Sequence, residues 1–305
     1  MKKWGEDDEV RRSSLSIVKA TALEVLSEPL SLLVLLAALV LTVLAPAFHY
    51  HQFGEATRMA RDAGLSSVLM GGLVVAVFGT IRAFRREVES GTMAMALAHP
   101  VSRTEFFLAK TLGAGAAYLV FASIVFLTAL VIVDGAAIGG LIAAKSGDIA
   151  RLYGPNLAEG VGVLVLPLVI GAALNRFGNM RFVLSSIILA LALSVVFAAL
   201  SVVRDATGFL RLLPVAVLIV LFTSVLLVAS AGCAVRLKAN AAASSVGLVL
   251  ALLLPAVGNY YLADALSKGG TVPWAYVGCA ALATLPAVLL FLFLGIHFIN
   301  GRDIS

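Results

Sequence analysis

The sequence predicts an all-α fold: a polytopic membrane helix bundle of about eight spans, six at the fewest. A helix lying in the membrane interface precedes the first span, and the longest cytoplasmic loop carries a short helix of its own. Three observations predict this. Of 305 residues, 61% are hydrophobic and 13% charged, where a soluble domain carries roughly 25% charged residues. Eight apolar stretches come close to or exceed the ~20 residues that cross a hydrocarbon core. Basic residues are concentrated in alternate connections between those stretches.

The stretches lie near 30–48, 65–81, 108–133, 157–174, 182–203, 212–235, 244–262 and 273–298. Their Val, Ile and Phe content would favour strands in water. Lipid cannot satisfy backbone N–H and C=O groups, so each must be a helix or half-helix. The run at 157–174 is the shortest, and whether it crosses decides between six and eight spans. Pro167, Pro214, Pro255 and Pro286 are positioned to bend or bound the spans they touch.

Loop charge sets the orientation. With the N-terminus inside, the inner segments hold Lys2, Lys3, Arg11, Arg12, Lys19, Arg82, Arg85, Arg86, Arg103, Lys110, Arg176, Arg181, Arg236, Lys238 and Arg302. The outer segments hold Arg58, Arg61, Lys145, Arg151, Arg204, Arg211 and Lys268, which is 7 of the 22 basic residues. Both termini are therefore expected in the cytoplasm, in a multi-pass protein of the inner or plasma membrane. Tyr260, Tyr261, Trp274 and Tyr276 fall at one expected outer interface, where amphipathic rings settle. The net charge of +5 is spread between apolar runs, which fits membrane orientation and not nucleic acid.

The organisation follows as residues 1–29, a cytoplasmic leader and interfacial helix; 30–298, the transmembrane domain; and 299–305, a cytoplasmic tail. Over 10–29, Leu15, Val18, Ala22 and Leu26 recur at helical spacing with Lys19, Glu24 and Glu28 off that stripe, as in a helix lying in the inner interface. The longest inner loop is 82–107. The longest outer loop is 134–156, rich in Gly and Ala, and Gly135 and Gly139 in it read as loop residues more than as a helix-packing motif. Asn175, Asn179 and Asn259 read as caps or interface groups. Cys233 and Cys279 sit inside apolar runs as small hydrophobes.

The chain has no GxxxxGK[ST] phosphate loop and no HExxH, GxSxG or CxxC pattern, so no ATPase, metalloprotease, serine hydrolase or zinc site is expected. His49 and His51 flank Tyr50 with no third ligand nearby, and an isolated pair completes no common metal site. Apart from Glu159 and His297 near span ends, the runs read as free of the intramembrane charges that mark an ion path. Energy for uphill transport would then have to come from another chain.

The inner loop shows where it could arrive. Gly91 permits a sharp turn after Glu89, and Ser90 or Thr92 can cap a short helix. Met93, Ala96 and Leu97 share a face of that helix. Pro100 stops it, and Ser102 or Thr104 can cap the next helix, which carries Lys110 into the membrane. This segment resembles the membrane subunit of ABC transporters of the type-2 exporter permease family. The likeness rests on Glu87, Glu89, Gly91, Thr92, Pro100, Val101, Ser102, Arg103, Ala109 and Lys110, and on the leader with its Glu28-Pro29 entry to the first span. It covers roughly residues 10–130. The family commonly has six spans, and this chain departs from it with eight.

The resemblance implies that Glu87, Glu89, Gly91, Thr92, Met93, Leu97, Pro100, Ser102 and Arg103 form a coupling helix and its flanks, docked on a separate cytoplasmic ATPase. It implies two permease copies and two ATPases per working unit, with ATP and Mg on the partner and no cofactor on this chain. Relatives include permeases named for multicopper-enzyme maturation and for export of antibiotics, lipids or polysaccharides. Two other classes stand beside this one: a nucleotide-independent carrier or lipid-handling protein, and a membrane scaffold that transports nothing.

Overall fold

A computed structural model of the chain describes residues 3–44, 56–90, 102–146, 154–204, 206–237, 247 and 272–301. Every regular element among them is a helix, as lipid demands of a spanning backbone. In chain order they are α1 (Lys3–Ser27), α2 (Pro29–Leu44), α3 (Ala56–Val74) and α4 (Thr80–Ser90). There follow α5 (Arg103–Ser146), α6 (Gly154–Gly178), α7 (Phe182–Arg204), α8 (Ala206–Arg236) and α9 (Trp274–Asn300). A π turn at Val75–Gly79 joins α3 to α4 without breaking the rod.

Among the described residues six stretches are long and apolar enough to span a bilayer, and seven if the bent pair α1–α2 is taken as one. Of the expected run at 244–262 only Gly247 is described, so the described residues account for seven of the eight expected spans. The shortest expected run proves long enough: α6 has 25 residues, or about 37 Å at the usual rise.

Small residues set the packing. A methyl group added at Gly64 would stand 2.5 Å from Ala129 Cβ and 3.7 Å from Thr42 Cγ2, and one at Gly71 would stand 2.6 Å from Phe121. At Gly160 it would stand 2.5 Å from Ile132, with Val43 next to it. Backbones of α2, α3, α5 and α6 thus meet at glycine, the usual device where lipid offers no hydrophobic drive between helices. Around these crossings Leu35, Leu39, Val68, Ile124, Val125 and Ile187 form one buried apolar cluster. Buried hydroxyls turn back onto their own helix: Thr42 donates to the Ala38 carbonyl, Thr128 to Ile124 and Thr223 to Ile219, each at 2.8 Å.

These contacts fix direction. The bundle has a basic end, which holds Arg82, Arg85, Arg86, Arg103 and Arg236, and a far end, which holds Arg58, Arg61, Asp134, Glu159 and Arg204. α2 runs toward the far end, α3–α4 returns, α5 goes out, α6 returns and α7 goes out again. Asn179, in the left-handed region at φ 52°, makes the turn between α6 and α7, a conformation asparagine tolerates better than most residues.

α8 and α9 run the same way. Val215 clusters with Val272 and Val277 at their beginnings, a methyl group added at Gly232 would stand 3.5 Å from the Gly295 Cα, and Arg236 Cζ lies 5.2 Å from the Phe298 ring centroid at their ends. Leu237 therefore lies at the basic end and Val272 at the far end.

Several expected boundaries are corrected. The expected outer loop is helical through Ser146, because α5 is 44 residues long. At about 66 Å it exceeds the ~30 Å hydrocarbon core twofold, so it outruns the thickness of a bilayer's apolar layer. Gly135 and Gly139 accordingly belong to a helix. The helix of the second span begins at Ala56, ahead of the expected 65, and the rod continues through Ser90, so the first third of the expected inner loop is a rigid extension. α1 starts at Lys3 and packs through Val18, Thr21 and Val25. Of the expected stripe, Leu26 is buried but Leu15 is 59% exposed.

Candidate functional site

The site is built at the basic end, where α1, α4, the start of α5 and the ends of α8 and α9 converge. α1 meets α2 at a 62° bend, since Pro29 cannot continue the preceding helix but suits the start of a new one. Ser31 Oγ donates to the Val25 carbonyl at 2.6 Å across this bend. Arg82 and Arg86 of α4 reach back to Glu28 at 3.3 Å and Glu24 at 3.4 Å. Both arginines are largely exposed, so each pair contributes under about 1 kcal/mol.

α5 begins with a reciprocal cap. The Glu105 N–H donates to Ser102 Oγ at 3.2 Å and the Ser102 N–H donates to Glu105 Oε2 at 2.9 Å. This capping box satisfies two otherwise unpartnered groups at once. Of the two expected caps, Ser102 is the one used.

Two turns further on, Lys110 is fully buried, with Nζ 2.6 Å from Glu87 Oε1 of α4. The rings of Phe84 and Phe106 each lie 5.7 Å from the ammonium, at cation–π distance. Phe107 completes the wall, 5.5 Å from Phe84, and its ring fills the space that a side chain at Gly295 would need. The expectation that the spans hold no ionisable group but Glu159 and His297 is thereby corrected. Lys110 is missing from that list because it is counted with the inner segments, although it lies inside the expected run 108–133; its partner stands 23 positions earlier.

The α8 and α9 ends are held from the same place. Arg85 Nη1 donates to the Leu237 carbonyl at 3.2 Å, and Arg103 Nη1 donates to the Asn300 carbonyl at 3.4 Å. Between the two ends lies an open depression of about 440 Å³ lined by Val235, Arg236, His297, Phe298 and Gly301.

At the far end a second polar set joins three helices. Ser201 Oγ donates to Asp134 Oδ2 at 2.7 Å, and Arg204 pairs with Glu159 at 3.0 Å. Between the two sets the described core is apolar apart from hydroxyls, with no Asp, Glu, Lys, Arg or His side chain.

Of the residues expected to carry the coupling function, Glu87, Ser102 and Arg103 come together here. Glu87 is turned to Lys110, Ser102 caps α5, and Arg103 reaches α9. Glu89 lies in the last turn of α4. Gly91, Thr92, Met93, Leu97 and Pro100 lie outside the described residues, as do His49, His51, Asn259, Tyr260 and Tyr261. Trp274 and Tyr276 stand exposed at the start of α9. Among the described residues no three His, Cys, Asp or Glu side chains gather as a metal site.

A bundle with an apolar perimeter, a polar set at each end and a capped, ion-paired hairpin at one of them defines a multi-pass membrane protein. The model of the ABC-2 family transporter proteins matches residues 27–197, more than half of the chain. The chain belongs to that family, whose members are membrane components of transport systems and not themselves catalysts. No curated protein and no solved structure matches it.

Proposed function

We propose that the chain is the permease subunit of an ATP-driven exporter, worked from the cytoplasm by a separate ATPase that binds the segment 87–103. One observation carries this reading: the two helices that flank 91–101 are fastened to each other at their base by the Lys110–Glu87 pair. A push delivered to a segment hung between them would be conveyed into α3–α4 and α5 instead of being absorbed by a loose loop. The apolar middle of the described bundle supports an external energy source, because gradient-driven carriers place charge at mid-membrane.

In this reading the basic end faces the cytoplasm, where positive loops are retained. Glu89, Gly91, Thr92, Met93, Leu97 and Pro100 form the contact itself, while Glu87, Ser102 and Arg103 hold its base. A second permease copy completes the pathway, and ATP with Mg binds on the partner. The test is co-purification with an ABC ATPase encoded beside the chain, using Gly91→Trp and Glu89→Lys. Loss of association with unchanged permease yield is expected. If association and ATP-stimulated transport both persist, the docking assignment is wrong. Robust transport by the purified chain alone in vesicles would favour a nucleotide-independent carrier.

A further inference from the structure

We infer that Arg85 and Arg103 are positioning residues that bind the elbow formed by α4 and the start of α5 to the ends of α8 and α9, so that all four move as one body. The inference rests on the reading of that elbow as the docking base and adds where its motion goes. The two arginines stand on opposite sides of the segment 91–101, one on each flanking helix. Each places a guanidinium on a terminal carbonyl of a different C-terminal helix, Leu237 for α8 and Asn300 for α9.

The chemistry suits the place. α8 and α9 are parallel, so the negative ends of both helix dipoles lie side by side at the basic end, with terminal carbonyls pointing out of each. Like poles at close range disfavour one another, and a cation at each relieves this. Arg236 supplies charge from the last turn of α8 itself. Arg85 and Arg103 supply it from the elbow, which makes the relief conditional on the elbow staying in place.

Packing follows the same line. Phe84 and Phe107 from the elbow share a buried cluster with Leu226, Val235 and Ile299 of α8 and α9. The apolar contact gives adhesion, and the two directed hydrogen bonds give register. α8 and α9 lie beyond the 27–197 match, so these bonds connect the family-defining half of the chain to the half outside it.

The experiment uses the full chain in lipid nanodiscs with no ATPase, so it is independent of whether an ATPase docks. Cys233 and Cys279 are replaced by Ala, and spin labels are placed pairwise at Arg86→Cys with Leu210→Cys, and at Arg86→Cys with Trp274→Cys. Each pair measures the elbow against the distant start of one C-terminal helix. Narrow distance distributions are expected with both arginines present. Arg85→Gln should broaden the 86–210 distribution at least twofold and leave 86–274 narrow, and Arg103→Gln should do the reverse. Arg85→Lys and Arg103→Lys keep a charged donor and should restore most of the narrowing. If both Gln variants leave both widths unchanged, or if each broadens both pairs alike with no rescue by Lys, the inference is overturned. Loss of ATPase binding by Gly91→Trp with these widths intact would bear on the docking reading alone.

Discussion

Lys110 Nζ lies 2.6 Å from Glu87 Oε1, with the lysine side chain wholly buried and the glutamate 28% exposed. The Phe84 and Phe106 rings take up part of the remaining ammonium surface. Breaking a buried pair by removing one partner costs about 3–5 kcal/mol, whereas replacing both by apolar groups is often neutral. Glu87→Gln should therefore lower the thermal midpoint of the detergent-solubilised chain by several degrees. The double variant Glu87→Leu with Lys110→Met should recover much of that loss. A wild-type midpoint for Glu87→Gln would show that the pair contributes nothing.

The Ser102–Glu105 capping box gives a smaller, local effect. Ser102→Ala should cost about 1 kcal/mol and raise amide exchange over residues 103–106 without altering the rest of α5. Ser102→Asp should keep the cap. Hydrogen–deuterium exchange on the full chain reads both, and uniform protection in Ser102→Ala would rule the cap out.

Glycines on one face and another should respond oppositely. At Gly295 any side chain collides with the Phe107 ring, so Gly295→Ala should destabilise by about 1–3 kcal/mol. Gly115, also helical, has open space where a side chain would go, and Gly115→Ala should be neutral or stabilise by up to about 1 kcal/mol. Thermal unfolding of the two variants side by side checks the sign of each.

The parallel course of α8 and α9 makes a topological prediction. Labels at Leu210→Cys and Trp274→Cys should react with a membrane-impermeant maleimide from one face of sealed vesicles, and Arg86→Cys and Gly301→Cys from the other. Reaction of Trp274→Cys and Arg86→Cys from the same face would mean that the chain does not return across the bilayer between Leu237 and Val272.

The spans were legible because lipid admits few solutions: a run of some twenty apolar residues must be a helix whatever its propensities. Where those helices end was not. Residues 82–90 and 134–146 carry enough charge or glycine to read as loop, yet both continue helices that outrun the membrane. Ser102 was legible as a cap since its signal is three residues long. Glu87, Arg85 and Arg103 were noticed for their charge or their motif, but their partners lie 23, 152 and 197 positions away, and no local pattern records such distances. The π turn at Val75–Gly79 likewise left no mark that apolar periodicity could reveal.

α1 crosses α5 at Gly113, where even one methyl would stand 2.6 Å from the Val18 carbonyl oxygen and 2.7 Å from Thr21 Cβ. No acyl chain can slip between helices that touch backbone to backbone. The N-terminal helix is thus a seated beam of the framework and no trailing tether. One bulky graft at position 113 would unseat the beam and carry Glu24 and Glu28 away with it.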